Sequence, residues 1–461
     1  MNWTSHKETV MKRLNHRTDP WIIVITTLAF IFSNIGCTRS TYDRMKSYVD
    51  EIKVVNTHSH QGRPWKQRYN CFDSGLYLHA DLISAGMTEY SEAMEQEHDP
   101  EAYWDHTEKY LRFNRTTSYY TQFVYNFKML YGLEQPHLAK ADFLDFSTQM
   151  DKNFKQYDTW LDSVFKKCNM EIIFSDRLWQ AFDTSFNRKY FRYVFRFDQL
   201  VLESTWAALS RTVENRQALE LIGRDEFPVP DLQSYLDFID LVLEKVVHGG
   251  AVSFKMGLAY HRSLDFKVVK TSDAERVFHK EKFTDQDRTL IQDYVVSHIV
   301  RKADEHQIPV QIHTGYLHGN RGVLDRGHPM KLIPLLQSNP ETQFVLFHGG
   351  FPWTGDCMVL AKCYPNVFLD MVWLPQLSRT AAIRTLHEML DCVPYNKICW
   401  GGDTGNIDDA AGSLELGREV VAKTLAERIK NGWATREVAE DIANRIFREN
   451  AIEIYNLRIP E

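Results

Sequence analysis

Four histidines and one aspartate stand at the carboxyl ends of short apolar runs, in order along the chain. Ile52-Lys53-Val54-Val55-Asn56-Thr57 closes on His58-Ser59-His60, and Ile308-Pro309-Val310-Gln311-Ile312 closes on His313. Phe344-Val345-Leu346-Phe347 closes on His348, and Ile398-Cys399-Trp400-Gly401-Gly402 closes on Asp403. Imidazoles with one carboxylate suit zinc or another first-row divalent ion. Such an ion in an open site makes water a nucleophile at neutral pH. Side chains two apart on an extended segment share a face, so His58 and His60 point the same way. Taken alone, that dipole also fits capping or surface histidines. Its recurrence with His313, His348 and Asp403 at equivalent strand ends argues for a shared centre.

Ligands this far apart in sequence meet when their runs are parallel strands of one barrel, because the carboxyl ends then share a face. The remaining strands are read at Met170–Phe174, Tyr190–Phe197, Ala251–Phe254 (ending at Lys255) and Val367–Met371. Helical patterning fills most gaps, as in Leu232–Val247 and Asp285–His306, where Asp285 is the expected N-cap. Two further helices, Gly417–Arg428 and Thr435–Tyr455, close the outer layer. Eight strands alternating with helices predict an α/β fold, a (β/α)8 TIM barrel spanning residues 51–461. Residues 62–168, after the first strand, are too many for a loop. Their aromatics, among them Tyr103, Trp104, Phe123, Phe127 and Trp160, fall partly at helical spacing. A long helical insertion is expected there, burying its own aromatics and overhanging the barrel mouth.

The 461 residues are 44% hydrophobic and 25% charged with a net charge of −7, which permits a large core and argues against a nucleic-acid partner. Lys7, Lys12, Arg13 and Arg17 precede an apolar stretch from Trp21 to Phe32. This is the pattern of a signal peptide covering residues 1–36, and it is shorter than the roughly 20 apolar residues of a spanning helix. Gly36-Cys37 resembles a bacterial lipoprotein cleavage site, with Cys37 as the lipidated residue. Residues 37–50 then form a tether and lead-in helix. An exported bacterial lipoprotein, periplasmic or outer-surface and membrane-anchored by lipid alone, is the expected localisation. The other cysteines, Cys71, Cys168, Cys357, Cys363, Cys392 and Cys399, form no CxxC motif and read as buried thiols.

The order HxH, Lys, His, His, Asp resembles the amidohydrolase superfamily, in particular its amidohydrolase-related branch, kin to uronate isomerase and aromatic-acid decarboxylases. The strings that carry the likeness are Asn56-Thr57-His58-Ser59-His60, Gln311-Ile312-His313-Thr314-Gly315, Leu346-Phe347-His348-Gly349-Gly350 and Gly401-Gly402-Asp403-Thr404. The resemblance covers residues 50 to 455 and implies one or two divalent metal ions, most simply zinc. His58, His60 and Asp403 would hold the more buried ion, and His313 and His348 a second ion or the substrate. Asp403 would move the proton of the attacking water, with His348 and Lys255 completing the catalytic set. Lys255 stands where many members carry a carboxylated, metal-bridging lysine; unmodified, it is an ammonium facing the pocket.

The activity expected on these grounds is hydrolysis of an amide, ester or lactone in a small carboxylated substrate. Tyr260 and Arg262 are expected to bind its anionic group, and Trp353 to wall the pocket. His318, Arg321, Arg326 and His328 populate the loop after His313, while Trp373 and Trp400 lie near later strand ends as core or pocket wall. Isomerisation or decarboxylation of a sugar acid or aromatic acid is the alternative on the same fold. A surface-anchored binding protein without turnover is a further one. Assembly into a homo-oligomer is compatible with all three.

Overall fold

The computed structural model describes residues 39–459 apart from 62–68, 76, 89–98, 178–180, 184–186, 203–212, 226–230 and 281. The expected signal peptide and Cys37 lie outside the described residues. Eight strands form one parallel sheet in sequential order: β1 Val54–Ser59, β2 Met170–Asp176, β3 Phe191–Arg196, β4 Ala251–Met256, β5 Val310–Ile312, β6 Phe344–Leu346, β7 Val367–Asp370 and β8 Ile398–Cys399. The sheet curls until β8 returns to β1. Thr57 N donates to the Trp400 carbonyl at 3.4 Å, Asp403 N to the His58 carbonyl at 2.8 Å, and His60 N to the Thr404 carbonyl at 2.8 Å. The strands are buried on nearly every residue, as expected when helices cover the outside and side chains fill the inside.

Local signals set most boundaries. The lead-in helix Thr41–Glu51 starts with a capping box between Ser40 and Asp43 and ends at Ile52, which is extended. The helix Asp285–Glu305 is capped by Thr284, not by the expected Asp285; Thr284 and Asp287 exchange hydrogen bonds as a capping box, so Asp285 is its first residue. An Asp at the third position does there what Glu or Gln usually does. The expected Gly417–Arg428 helix begins earlier, at Ile407, where the Asn406 side chain accepts from Asp409 N. Gly412 and Gly417 look like breaks in sequence but are close-approach points. A Cβ on Gly412 would lie 2.5 Å from the Gln122 carbonyl, and one on Gly417 would lie 2.4 Å from the Trp400 ring. The expected Thr435–Tyr455 helix is divided into Arg436–Asn444, a π turn at Arg445–Glu449 and Asn450–Ile454.

Between β1 and β2 the described residues form the helices Leu78–Ser84, Pro100–Leu111, Ser118–Leu130, Lys140–Phe154 and Tyr157–Cys168. They pack their own aromatics: Phe127 stacks on Phe146 at 5.5 Å and Tyr103 on Phe143 at 5.7 Å. The insertion is fastened to the helix Ile407–Lys430 by buried polar contacts. Asp409 Oδ1 accepts from Asn126 at 2.8 Å and from Ser74 at 3.2 Å, while Asp408 accepts from Trp160 Nε1 at 2.7 Å and from the Tyr131 hydroxyl. Burial pushes the Asp408 carboxyl up to about 6. Asp408→Ala strands those two donors and is expected to lower unfolding stability by roughly 2–4 kcal/mol, read as a fall in the urea midpoint. All six described cysteines are free thiols. Cys71, Cys168, Cys357 and Cys399 are buried, but Cys363 is exposed and Cys392 half-buried, contrary to the expectation for those two.

Candidate metal centre

The barrel gathers the five metal-capable residues at its carboxyl end. His58 is 1% exposed, His313 4%, His348 0% and Asp403 4%. Asp403 Oδ1 lies 3.1 Å from His60 Nε2 and 3.6 Å from His58 Nε2. Three of the seven non-glycine residues with positive φ among the described residues sit here: His348 (64°), Trp373 (63°) and Asp403 (50°). The left-handed region is costly for residues with a Cβ, and such strain collects where the surroundings enforce a functional placement. Close strand approach explains the glycines before Asp403. A Cβ on Gly401 would stand 2.6 Å from Thr57 Oγ1 and 3.0 Å from His58 N. Asn56 clamps the same seam, its Oδ1 accepting from Gly402 N at 2.7 Å and His58 N at 3.2 Å.

Proton counting tests whether these residues suit a cation. His348 Nδ1 faces the Val372 carbonyl at 3.0 Å, His348 Nε2 faces His313 Nδ1 at 2.9 Å, and His313 Nε2 faces the Tyr316 carbonyl at 2.9 Å. A carbonyl can only accept, and each neutral imidazole brings one proton. Two protons therefore serve three contacts. Burial, then the His348 charge, drives His313 well below the ordinary histidine range, and burial takes His348 down to about 3, so neither ring supplies the missing proton at neutral pH. A cation between the two facing nitrogens resolves the conflict. His60 repeats the pattern: Nδ1 faces the Asp176 carbonyl at 2.9 Å and Nε2 faces Asp403. Either a second proton or a cation must sit between that ring and Asp403. Burial alone would lower His60 and raise Asp403; their mutual attraction wins, raising His60 and holding Asp403 well below the usual carboxylate range. His58 Nδ1 and Asp403 Oδ1 are buried, and neither has a hydrogen bond of good geometry among the described residues. The donor set fits a divalent ion.

Lys255, at the end of β4, is 0% exposed, with Nζ 3.6 Å from the centre of the Phe347 ring and no hydrogen-bond partner among the described residues. Burial, then the Arg196 charge, pushes its ammonium down to about 7. Its charge also bears on His58, His313 and His348, which places it among both groups of ligands. The Tyr260 ring lies tilted against His313 with centroids 4.8 Å apart, and its hydroxyl accepts from His318 N at 3.2 Å.

Two expected substrate contacts have partners within the protein. Arg262 is committed to Asp293 at 2.6 Å and to Gln292 at 3.1 Å, on the helix Asp285–Glu305. A buried carboxylate holds that guanidinium more firmly than an open mouth would. Trp353 packs on His328 at 4.6 Å, and Trp373 takes the wall position instead, 5.3 Å from His348. Tyr77 and Tyr119 of the insertion cover Trp373 at 4.6 and 6.2 Å, and Tyr316 flanks it at 5.6 Å. The Tyr77 hydroxyl reaches Asp403; burial first, then that carboxylate, raises it well above the ordinary phenol range.

Sequence reasoning also missed Asp176 and Arg196. His58, His60 and Asp176 bring one ligand atom each within 4.8 Å of one another, a second grouping able to hold an ion. Asp176 is nevertheless gripped by Arg196, whose Nη2 lies 2.5 Å from Oδ2, while Nη1 reaches Asp198 at 3.1 Å. His60 Nδ1 is 4.0 Å from the Asp176 carboxylate and nearer its carbonyl, so Asp403 is the better carboxylate for the imidazoles. Alternate residues on a strand end would have pointed to Asp176 only once the end of β2 was known.

Fold and site define a metal-dependent barrel of amidohydrolase type. The amidohydrolase family profile matches residues 204–457, more than half of the chain, and the protein belongs to that family. Protein fluG of Emericella nidulans is 28% identical over 237 residues, covering 48% of this chain and 27% of fluG, so the chain spans about a quarter of that relative's length. Glucuronate isomerase of Caulobacter crescentus superposes with a TM-score of 0.74 at 18% identity, over 93% of this chain and 96% of that one. A candidate metal-dependent hydrolase from Lactobacillus casei superposes at 0.59 and 16% identity, over 90% and 99%. At these identities the likeness to both structures is one of fold.

Proposed function

We propose that the protein is a metal-dependent hydrolase cleaving an amide, ester or lactone bond of a small molecule. Asp403 carries this reading: a buried carboxylate within 3.1 Å of His60 and 3.6 Å of His58, whose Oδ1 has no donor besides those rings among the described residues. One or two divalent ions, most simply zinc, held by His58, His60 and Asp403 and by His313 with His348, would supply Lewis acidity to a carbonyl and acidify water. Asp403, held ionised, accepts the proton of the attacking water and returns it to the leaving group. Tyr77 lies close enough for its hydroxyl to feel the Asp403 charge. Tyr77, Tyr119 and Trp373 exclude bulk water, which strengthens every charge interaction beneath them. Lys255 stands ready either for carboxylation or as a cation facing the substrate, and Tyr260 offers a phenol beside His313.

Isomerisation or decarboxylation of an acid would need a free cation for the carboxylate. Arg262 and Arg196 are both committed to aspartates, which leaves Lys255 as the cation such a reaction would use. A binding protein without turnover has no use for the buried, strained Asp403. Zinc-loaded protein is to be assayed with lactones, N-acyl amino acids, uronates and hydroxybenzoates. Water-addition products that vanish on chelation and return with zinc are expected. Carbon dioxide release or sugar-acid isomers in their place would overturn the hydrolytic assignment. We further propose export with lipid anchoring, on the pattern of residues 1–37. Deleting residues 1–36 together with Cys37→Ser is expected to move the protein from the membrane to the soluble fraction, and continued membrane retention would count against that anchor.

A further inference from the structure

We propose that Asp370, at the end of β7, is a positioning residue for the metal centre: its single carboxylate fixes, through Thr57 and Val372, the end of β1 that carries His58 and the turn after β7 whose Val372 carbonyl meets His348. The inference rests on the reading of those imidazoles as metal ligands.

Asp370 is 0% exposed and belongs to none of the motif strings. Its Oδ2 accepts from the Thr57 hydroxyl at 2.6 Å, and its Oδ1 accepts from Val372 N at 3.0 Å. Thr57 immediately precedes His58, and its hydroxyl also lies 3.1 Å from the Trp400 carbonyl on the β8 side. Val372 in turn offers its carbonyl to His348 Nδ1 at 3.0 Å. That contact decides which nitrogen of His348 carries the proton and leaves Nε2 free to bind. The two oxygens of one carboxylate thus tie together the ends of β1 and β7 and lean on β8.

The next residue, Trp373, has φ 63°, a conformation kept only where the surroundings enforce it. The bond from Val372 N to Asp370 is one of those constraints. No described lysine, arginine or histidine pairs with Asp370, and burial pushes its carboxyl up to about 7, so this acid is costly to keep inside the barrel. A barrel needing only one acceptor here would be served by a neutral side chain. Here the two donors, Thr57 Oγ1 and Val372 N, each take a separate oxygen of Asp370. Carboxylates and carbonyls that orient ligating imidazoles tune metal affinity in this indirect way.

Asp370→Asn keeps the size but offers one acceptor oxygen, turning an amide N–H toward the other donor. Zinc affinity, measured by competition with a chromophoric chelator, is expected to fall about 10- to 100-fold while the circular dichroism spectrum is retained. The visible spectrum of the cobalt-substituted variant is expected to shift, reporting altered ligand geometry. Thr57→Val should weaken zinc in the same way, and Thr57→Ser, which keeps the hydroxyl, should hold it close to wild type. If Asp370→Asn does not fold, the Thr57 pair decides. Unchanged zinc affinity and cobalt spectrum in Asp370→Asn, even with a lowered melting temperature, would overturn the positioning role. Wild-type protein that takes up no zinc would overturn the metal-centre reading beneath it.

Discussion

Asp403→Asn is expected to lower turnover by about 100- to 10,000-fold while leaving the barrel folded. Asparagine fills the same space, and Asp403 N keeps its 2.8 Å bond to the His58 carbonyl, so the β1–β8 seam survives. What is lost is the charge that His58, His60 and His348 all feel and the acceptor for the water proton. Steady-state kinetics of zinc-loaded variant and wild type, with metal content determined in parallel, separate the two effects. Near-normal turnover in a metal-replete variant would remove Asp403 from the chemistry.

Arg196→Met is expected to destabilise the fold by about 3–5 kcal/mol. Arg196 bridges Asp176, 0% exposed, and Asp198, 5% exposed, and Asp198 also accepts from Gly257 N at 2.8 Å. Methionine fills part of the volume but leaves two carboxylates buried without a counter-charge. Burial already raises the Asp198 carboxyl above its ordinary value, with Arg196 holding it back. Without Arg196 the Asp198 carboxyl rises further. A carboxyl raised in the folded state takes up a proton on folding, so its contribution to stability declines as pH climbs through that range. The deficit of the variant should therefore be larger at about pH 8 than at about pH 5, where protonation relieves part of it. Urea unfolding at both values measures this, and an equal deficit at the two would mean that the carboxylates are not the cause.

The barrel was legible because periodicity and strand-end position are local properties. Each apolar run ends on or near a residue aimed at one face, and that alone brings His58, His60, His313, His348 and Asp403 together. The strands themselves are shorter than their apolar runs: β8 holds only Ile398 and Cys399, and His348 and Asp403 lie beyond their strands in left-handed turns. Hydrophobicity does not report such turns. The pairing of Arg262 was hidden because proximity to Lys255 in sequence says nothing about Asp293, which pairs with it from a helix some thirty residues on. Asp176, Arg196 and Asp370 stayed hidden for a related reason. Their roles depend on partners from neighbouring strands, and no spacing within one segment encodes register between two. The same holds for Trp373, whose wall position follows from the turn after β7 and from Tyr77 and Tyr119 in the insertion.

Anomalous diffraction at the zinc edge from crystals of zinc-loaded protein tests the account most directly. A peak within about 2.0–2.2 Å of His58 Nε2, His60 Nε2 and an Asp403 oxygen is predicted. Zinc-loaded crystals with no peak among these atoms, or with zinc only at sites away from them, would contradict it.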